Sequence, residues 1–310
     1  MDLALRAYSI PLRTRFRGLE VRTGLLLESP SGWGEFSPFA DYPDRLSARW
    51  LGCAKEAAGN HWPRPRRHRI PVNVTIPAVA PADAHAMVVA SGCSTAKVKV
   101  GDASDEARVE AVRDALGANG KLRIDVNAGW DVETAVGRLT ELSHYDLEYA
   151  EQPVATLEEM AELRRRVDVP LAVDESLRLA VDPLEVDVEH AADVAVLKVA
   201  PLGGVAAALR VAEAVGVPSV VSSALETSVG LAAGIALAAA LPELPYACGL
   251  GTATLLEGDV VSDPLAPQDG YIVVRRADPD DRLLTQWELT EGPDLARLHR
   301  QLAAAEAVLQ

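Results

Sequence analysis

Between residues 70 and 250 the chain repeats one pattern: a short run rich in apolar and β-branched residues, then a segment of helix length. The runs are IPVNVTIPA, AKVKVGD, LRIDVNAGW, LEYAEQPV, PLAVDES, VAVLKVAP, PSVVSSALE and YACGLGT. Strands separated by helices pair in parallel, and eight such runs in series predict a TIM-type barrel in the α/β class. The intervening segments agree. DEARVEAVRDALG and TLEEMAELRRRV place apolar residues three and four apart among charges, as a helix packed on a sheet requires. Pro170 and Pro218 stand just before strands, where a helix has already stopped.

The flanks read differently. Residues 1–65 carry strands with a hairpin turn at Ser29 to Gly32, then a helix from about Pro43 to Ala58, and so form a small α+β unit. The barrel is expected over 66–258. Residues 259–310, with a strand in GYIVVRR and a helix in PDLARLHRQLAAAEAVL, are expected to pack back on the N-terminal unit. RPRRHR, residues 64–69, lies between prolines and reads as a linker.

A net charge of −15 argues against nucleic-acid and anionic-membrane partners, leaving a small acidic substrate if local cations receive it. Cys53, Cys93 and Cys248 are far apart and lack metal-ligand spacing, so they read as buried thiols in a reducing compartment. The N-terminus shows no basic stretch followed by an apolar core, which points to a cytoplasmic protein. The most apolar segment, Val229 to Leu241, is too short for a bilayer and suits a helix buried on both sides.

Only five of the 30 basic residues are lysine, and two of them, Lys97 and Lys99, sit one pleat apart on the same face of a strand. A half-exposed strand would explain the pair. The strand ends of a barrel, where active sites lie, suggest more. The second strand ends in Lys97 and Lys99, the third in Asp125 and Asn127, and the fourth in Glu151. The fifth ends in Asp174 and Glu175, the sixth in Lys198. Asp125, Glu151 and Asp174 are spaced by 26 and 23 residues, about one βα unit each, so three carboxylates are expected to converge. They cannot all ionise without a cation, and hard oxygen ligands select Mg²⁺. A helix N-cap is the plainer reading for any one of them, Glu175 or Ser176 above all. Mutual repulsion between Lys97 and Lys99 would lower the pKa of one of them toward the range of a base. A metal gripping a carboxylate beside such a base predicts proton abstraction from the α-carbon.

The ordered motifs KVK, DVN, EQP, DES and LK resemble the enolase superfamily over nearly the whole chain. This implies a modified (β/α)7β barrel with an α+β capping domain. WGEFSPF, VDES, SSALETSVGL and GLGT resemble segments of its o-succinylbenzoate synthase family. That resemblance implies Lys99 as base, Lys198 as the cation facing the enediolate, and Asp125, Glu151 and Asp174 as Mg²⁺ ligands. The implied reaction is dehydration of 2-succinyl-6-hydroxy-2,4-cyclohexadiene-1-carboxylate in menaquinone biosynthesis. Lys97, Asn127, Glu175, Ser222 and Ser223 are the expected substrate-binding or supporting residues, although serine pairs at strand ends are also common in turns. Segments 14–20 and 39–44 are candidates for contacting the substrate's tail. Two alternatives stay open: N-succinylamino acid racemase, which resembles this family and uses two opposed lysines, and a barrel-based binding protein without catalysis.

Overall fold

The computed structural model describes residues 4–310. Its N-terminal sheet has the order β1 (Ala4–Phe16), β2 (Leu19–Ser29), β3 (Gly32–Phe36), all antiparallel, followed by α1 (Asp44–Ala58). Phe16 pairs with Leu19 across a two-residue turn in which Arg17 and Gly18 take φ of 51° and 78°, the left-handed geometry that matches strand twist. The second hairpin falls at Ser29 and Gly32, as the sequence predicts.

Next come β4 (Arg69–Pro71), β5 (Val74–Ile76), α2 (Pro81–Ser91), β6 (Thr95–Lys99), α3 (Asp105–Leu116), β7 (Lys121–Asp125) and α4 (Val132–Leu142). They are followed by β8 (Leu147–Glu151), α5 (Leu157–Arg164), β9 (Leu171–Val173), the short α6 (Glu175–Arg178), β10 (Val194–Leu197) and α7 (Val199–Leu202). Then α8 (Val205–Ala214), β11 (Ser219–Val221), α9 (Ser228–Ala240), β12 (Tyr271–Val273), α10 (Asp281–Gln286) and α11 (Pro293–Leu309) complete the chain. Strands β5 to β11 form one parallel sheet in chain order, buried on both faces as helix-covered parallel strands must be. The seven strands are the (β/α) barrel of the expected class.

Two runs depart from expectation. IPVNVTIPA splits: β4 pairs antiparallel with β12, and only β5 joins the barrel. The eighth run forms no ladder; Cys248 bridges to Val72 and Gly249 to Ser222, so two single bridges close the ring between its first and seventh strands. Glycines around Cys248 offer little to hold an extended strand.

Two carboxylates of the N-terminal unit fix it to the barrel at helix N-termini, where unpaired N–H groups and the helix dipole favour anions. Glu56 of α1 accepts from Val205 N (2.6 Å) and Ala206 N (3.0 Å) at the start of α8. Glu35 of β3 accepts from Thr227 N (3.1 Å) and Gly230 N (3.1 Å) at the start of α9. The basic linker does the opposite at the other end of α9, with Arg67 Nη1 donating to the carbonyls of Ala238 and Leu241. Helix α11 lies on α1, burying Leu298, Leu302 and Ala305, and Arg297 Nη2 reaches Thr23 Oγ1 of β2 at 2.8 Å. The three cysteines are buried and unpaired, and no helix among the described residues is long and apolar enough to cross a membrane.

Candidate active site

The register of the parallel sheet sets the height of each charged group. Lys99 pairs with Asp125 and Asp125 with Glu151, so one lysine and two carboxylates stand at one level across β6, β7 and β8. Glu151 then pairs with Ala172, which leaves Asp174 two residues further along, at the turn into α6. Lys198 follows β10 directly. Two of the three carboxylates expected to converge therefore stand at equal height, and Asp174 lies beyond them.

Cations fill the ground between the acids. Lys97 Nζ donates to Asp125 Oδ2 (2.8 Å) and Glu151 Oε2 (2.7 Å). Lys99 Nζ donates to Asp125 Oδ2 and Asn127 Oδ1, both at 2.5 Å. Lys198 donates to Asp174, whose other oxygen accepts from Arg178 Nε at 2.9 Å. Among the described residues no three His, Cys, Asp or Glu side chains stand close enough together to hold a metal as they are placed. The donor set nonetheless fits a hard divalent cation: it is all oxygen, and Glu151 Oε1 is buried without a hydrogen-bond partner.

The electrostatics follow from this crowding. Burial, and next the charge of Asp125, push Glu151 up to about 7. Burial would also raise Asp125 and Asp174, but Lys97 and Lys99 hold the first well below the carboxylate range, and Arg178 and Lys198 the second. Burial would lower Lys97, yet contact with Asp125 and Glu151 raises it above an ordinary lysine. Lys99 goes the other way. Burial, with the neighbouring charge of Lys97, outweighs Asp125 and lowers it.

The supporting residues are drawn into the same network. Asn127, in the left-handed region at φ 51°, accepts from Lys99 and donates through Nδ2 to Glu175 Oε1 at 3.0 Å. The helix-cap reading of Glu175 and Ser176 does not hold. Asp174 occupies the cap position, Glu175 turns to Asn127 and Arg178, and Ser176 Oγ accepts from Gln152 Nε2 (2.7 Å). Ser222 and Ser223 line a cavity shared with Lys97, Lys99, Lys198 and Asp125, and Ser223 Oγ meets Thr252 Oγ1 at 2.5 Å.

From the N-terminal unit, Phe16 and Arg17 reach this cavity, and the Phe16 ring lies 5.4 Å from Lys99 Nζ. The 39–44 segment does not line it. Its Tyr42 instead accepts a hydrogen bond from Arg178 Nη1. Thr252 ends the GLGT motif, but Arg178 and Thr75 have no motif to announce them, and neither does Arg108, which donates to the Lys99 carbonyl (2.9 Å) while paired with buried Asp105 (3.1 Å).

A barrel with opposed amines and acids at its strand ends, beneath an N-terminal cap, defines a class of enzyme, and the comparisons agree. Residues 80–279 match the enolase C-terminal domain-like family and residues 7–58 the enolase N-terminal domain-like family. An o-succinylbenzoate synthase of Thermobifida fusca is 59% identical over 98% of this chain and 97% of its own length. One of Mycobacterium bovis is 50% identical over 89% of this chain and 86% of its own. The crystal structure of an N-succinyl Arg/Lys racemase from Bacillus cereus superposes with a TM-score of 0.79 at 20% identity, covering 93% of this chain and 98% of that one, a likeness of fold. The chain belongs to the enolase superfamily and, within it, to the family of the o-succinylbenzoate synthases.

Proposed function

We propose that the chain dehydrates 2-succinyl-6-hydroxy-2,4-cyclohexadiene-1-carboxylate to 2-succinylbenzoate, a hydro-lyase reaction of menaquinone biosynthesis carried out in the cytoplasm on a small carboxylate. The observation that carries this reading is a pair of lysines on β6 and just after β10, facing each other across the carboxylates, in a chain 59% identical to a synthase of that name. Asp125, Glu151 and Asp174 would hold Mg²⁺, which when bound takes up negative charge growing on the substrate's carboxylate oxygens.

The protein's own groups do the rest. Burial and the charge of Lys97 favour neutral Lys99, which takes the α-proton. The C–H electrons move into the substrate's carboxylate, giving an enediolate, and then return to form the new double bond as the C–O bond to the hydroxyl breaks. Lys99, now an ammonium, returns the proton to that hydroxyl, which leaves as water. Lys198, held by Asp174, stays a cation opposite and stabilises the enediolate. Phe16 over Lys99 shields the base from water.

The two-lysine geometry also supports a second reading, racemisation of N-succinylamino acids, in which each lysine serves one enantiomer. Substitution separates them. Lys99→Arg keeps charge but removes a usable base, and dehydration should fall by about 10²–10⁴-fold. Lys198→Arg should retain part of the dehydration. For a racemase either change stops racemisation, while single-enantiomer deuterium exchange survives on one side. Normal dehydration by Lys99→Arg would remove Lys99 from the mechanism.

A further inference from the structure

The loop after β11, residues 222–225, forms one wall of the cavity, and within it Leu225 N donates to Ser223 Oγ at 3.3 Å. Leu225 has φ of +68° and is 1% exposed, a left-handed conformation that costs a side-chain-bearing residue on the order of 1 kcal/mol and persists only where neighbours impose it. The carbonyls of Ala224 and Leu225 are held from about 200 residues away in the sequence. Arg22 of β2, itself 3% exposed, donates through Nε to Leu225 O (2.8 Å) and through Nη2 to Ala224 O (3.4 Å). The same guanidinium is locked by Ser37 O (2.5 Å) and Ser37 Oγ (2.9 Å), and its carbon lies 4.8 Å from the Phe39 ring centre. Beneath the loop, Glu226 accepts from Ala224 N at 2.8 Å.

Arg22 reaches none of the reacting groups. Lys99, Lys198 and the three carboxylates stand on or just after β6 to β10, whereas the part of the barrel that Arg22 grips is the loop after β11 that carries Ser222 and Ser223. We infer that Arg22 is a positioning residue that sets the 222–225 wall against which the substrate is bound, fixing binding and selectivity from the N-terminal unit while proton transfer is left to the barrel. That the cavity takes this substrate rests on the function proposed above. An interaction present equally in the bound ground state and the transition state acts on KM and spares kcat.

Two readouts on the Mg²⁺-loaded enzyme test this. In steady-state kinetics Arg22→Met, which keeps the apolar stem, should raise KM about tenfold, since hydrogen bonds from a charged donor are among the strong ones, and lower kcat less than threefold. Arg22→Lys should fall between it and the wild type. In hydrogen exchange without substrate, the amides of Ala224 and Leu225 should be protected in the wild type and lose most of that protection in Arg22→Met. If Arg22→Met fails to fold, Arg22→Lys and the wild-type loop protection still decide. Unprotected loop amides in the wild type, equal protection in the variants, or a loss of kcat at unchanged KM each overturn the inference. A wild-type enzyme inert toward the substrate would sink the function reading, and loop protection would then judge Arg22 alone.

Discussion

Substituting Glu226 by glutamine removes a carboxyl that burial, and then the charge of Glu35, push up to about 7 from its ordinary 4.5. The crowding is visible at Gly230, where a Cβ would lie 2.8 Å from Glu226 Cβ and 2.9 Å from Glu35 Oε2. Between pH 4.5 and 7 the folded protein keeps the Glu226 proton that the unfolded chain has lost. Folding therefore takes up a proton, and stability falls as pH rises through that window, then levels off. The difference in pKa corresponds to about 3 kcal/mol, the whole of it lost by pH 8. Glutamine cannot ionise and retains an oxygen for the Ala224 amide. The variant should match the wild type near pH 4.5 and exceed it at pH 8 by up to about 3 kcal/mol, or roughly 5 °C in Tm for a chain of this length. Urea unfolding midpoints at pH 5, 6, 7 and 8 measure it. Glu151, also raised to about 7, tilts both proteins the same way, so the difference between them is the quantity to read. A variant whose stability declines with pH as steeply as the wild type refutes the argument.

Asp125→Asn, Glu151→Gln and Asp174→Asn should each weaken Mg²⁺ binding in calorimetry with circular dichroism unchanged, and unaltered affinity in all three would dissolve the proposed metal site. Arg108→Met frees the Lys99 carbonyl and the chain after β6, so α-proton exchange should slow about tenfold; a rate equal to wild type would show that Lys99 needs no such anchor. Gly34→Ala drives a Cβ into the Ala54 backbone of α1 and should cost about 2 kcal/mol or more by denaturant titration, an expectation that a neutral result would cancel.

The barrel and the lysine–carboxylate row were legible because both are written locally: a period of one βα unit, and charges at the same point in successive units. What the sequence did not disclose is held between distant segments. Nothing near Arg22 indicates that its partners are residues 224 and 225, and Tyr42, within the 39–44 segment that is a candidate for contacting the substrate's tail, accepts from Arg178. Asp174 overshoots its neighbours because β9 ends at Val173 and the chain turns at once into α6, a register detail that spacing alone does not carry. The eighth strand failed for a related reason, since its apolar run was visible but its lack of a pairing ladder was not.

The packing of α11 on α1 also orders events on the ribosome. The face of α1 that α11 covers is synthesised early, yet its cover is made only after residue 292, when the whole barrel has already emerged. Throughout translation of the barrel, that flank of the cap is an open apolar surface of the kind that chaperones bind and aggregates recruit. Glu35 and Glu56 must meanwhile wait for α9 and α8 to supply their partners. The first-made part of the chain is thus the last to be finished, and an incomplete nascent chain carries a cap whose α1 flank is still uncovered.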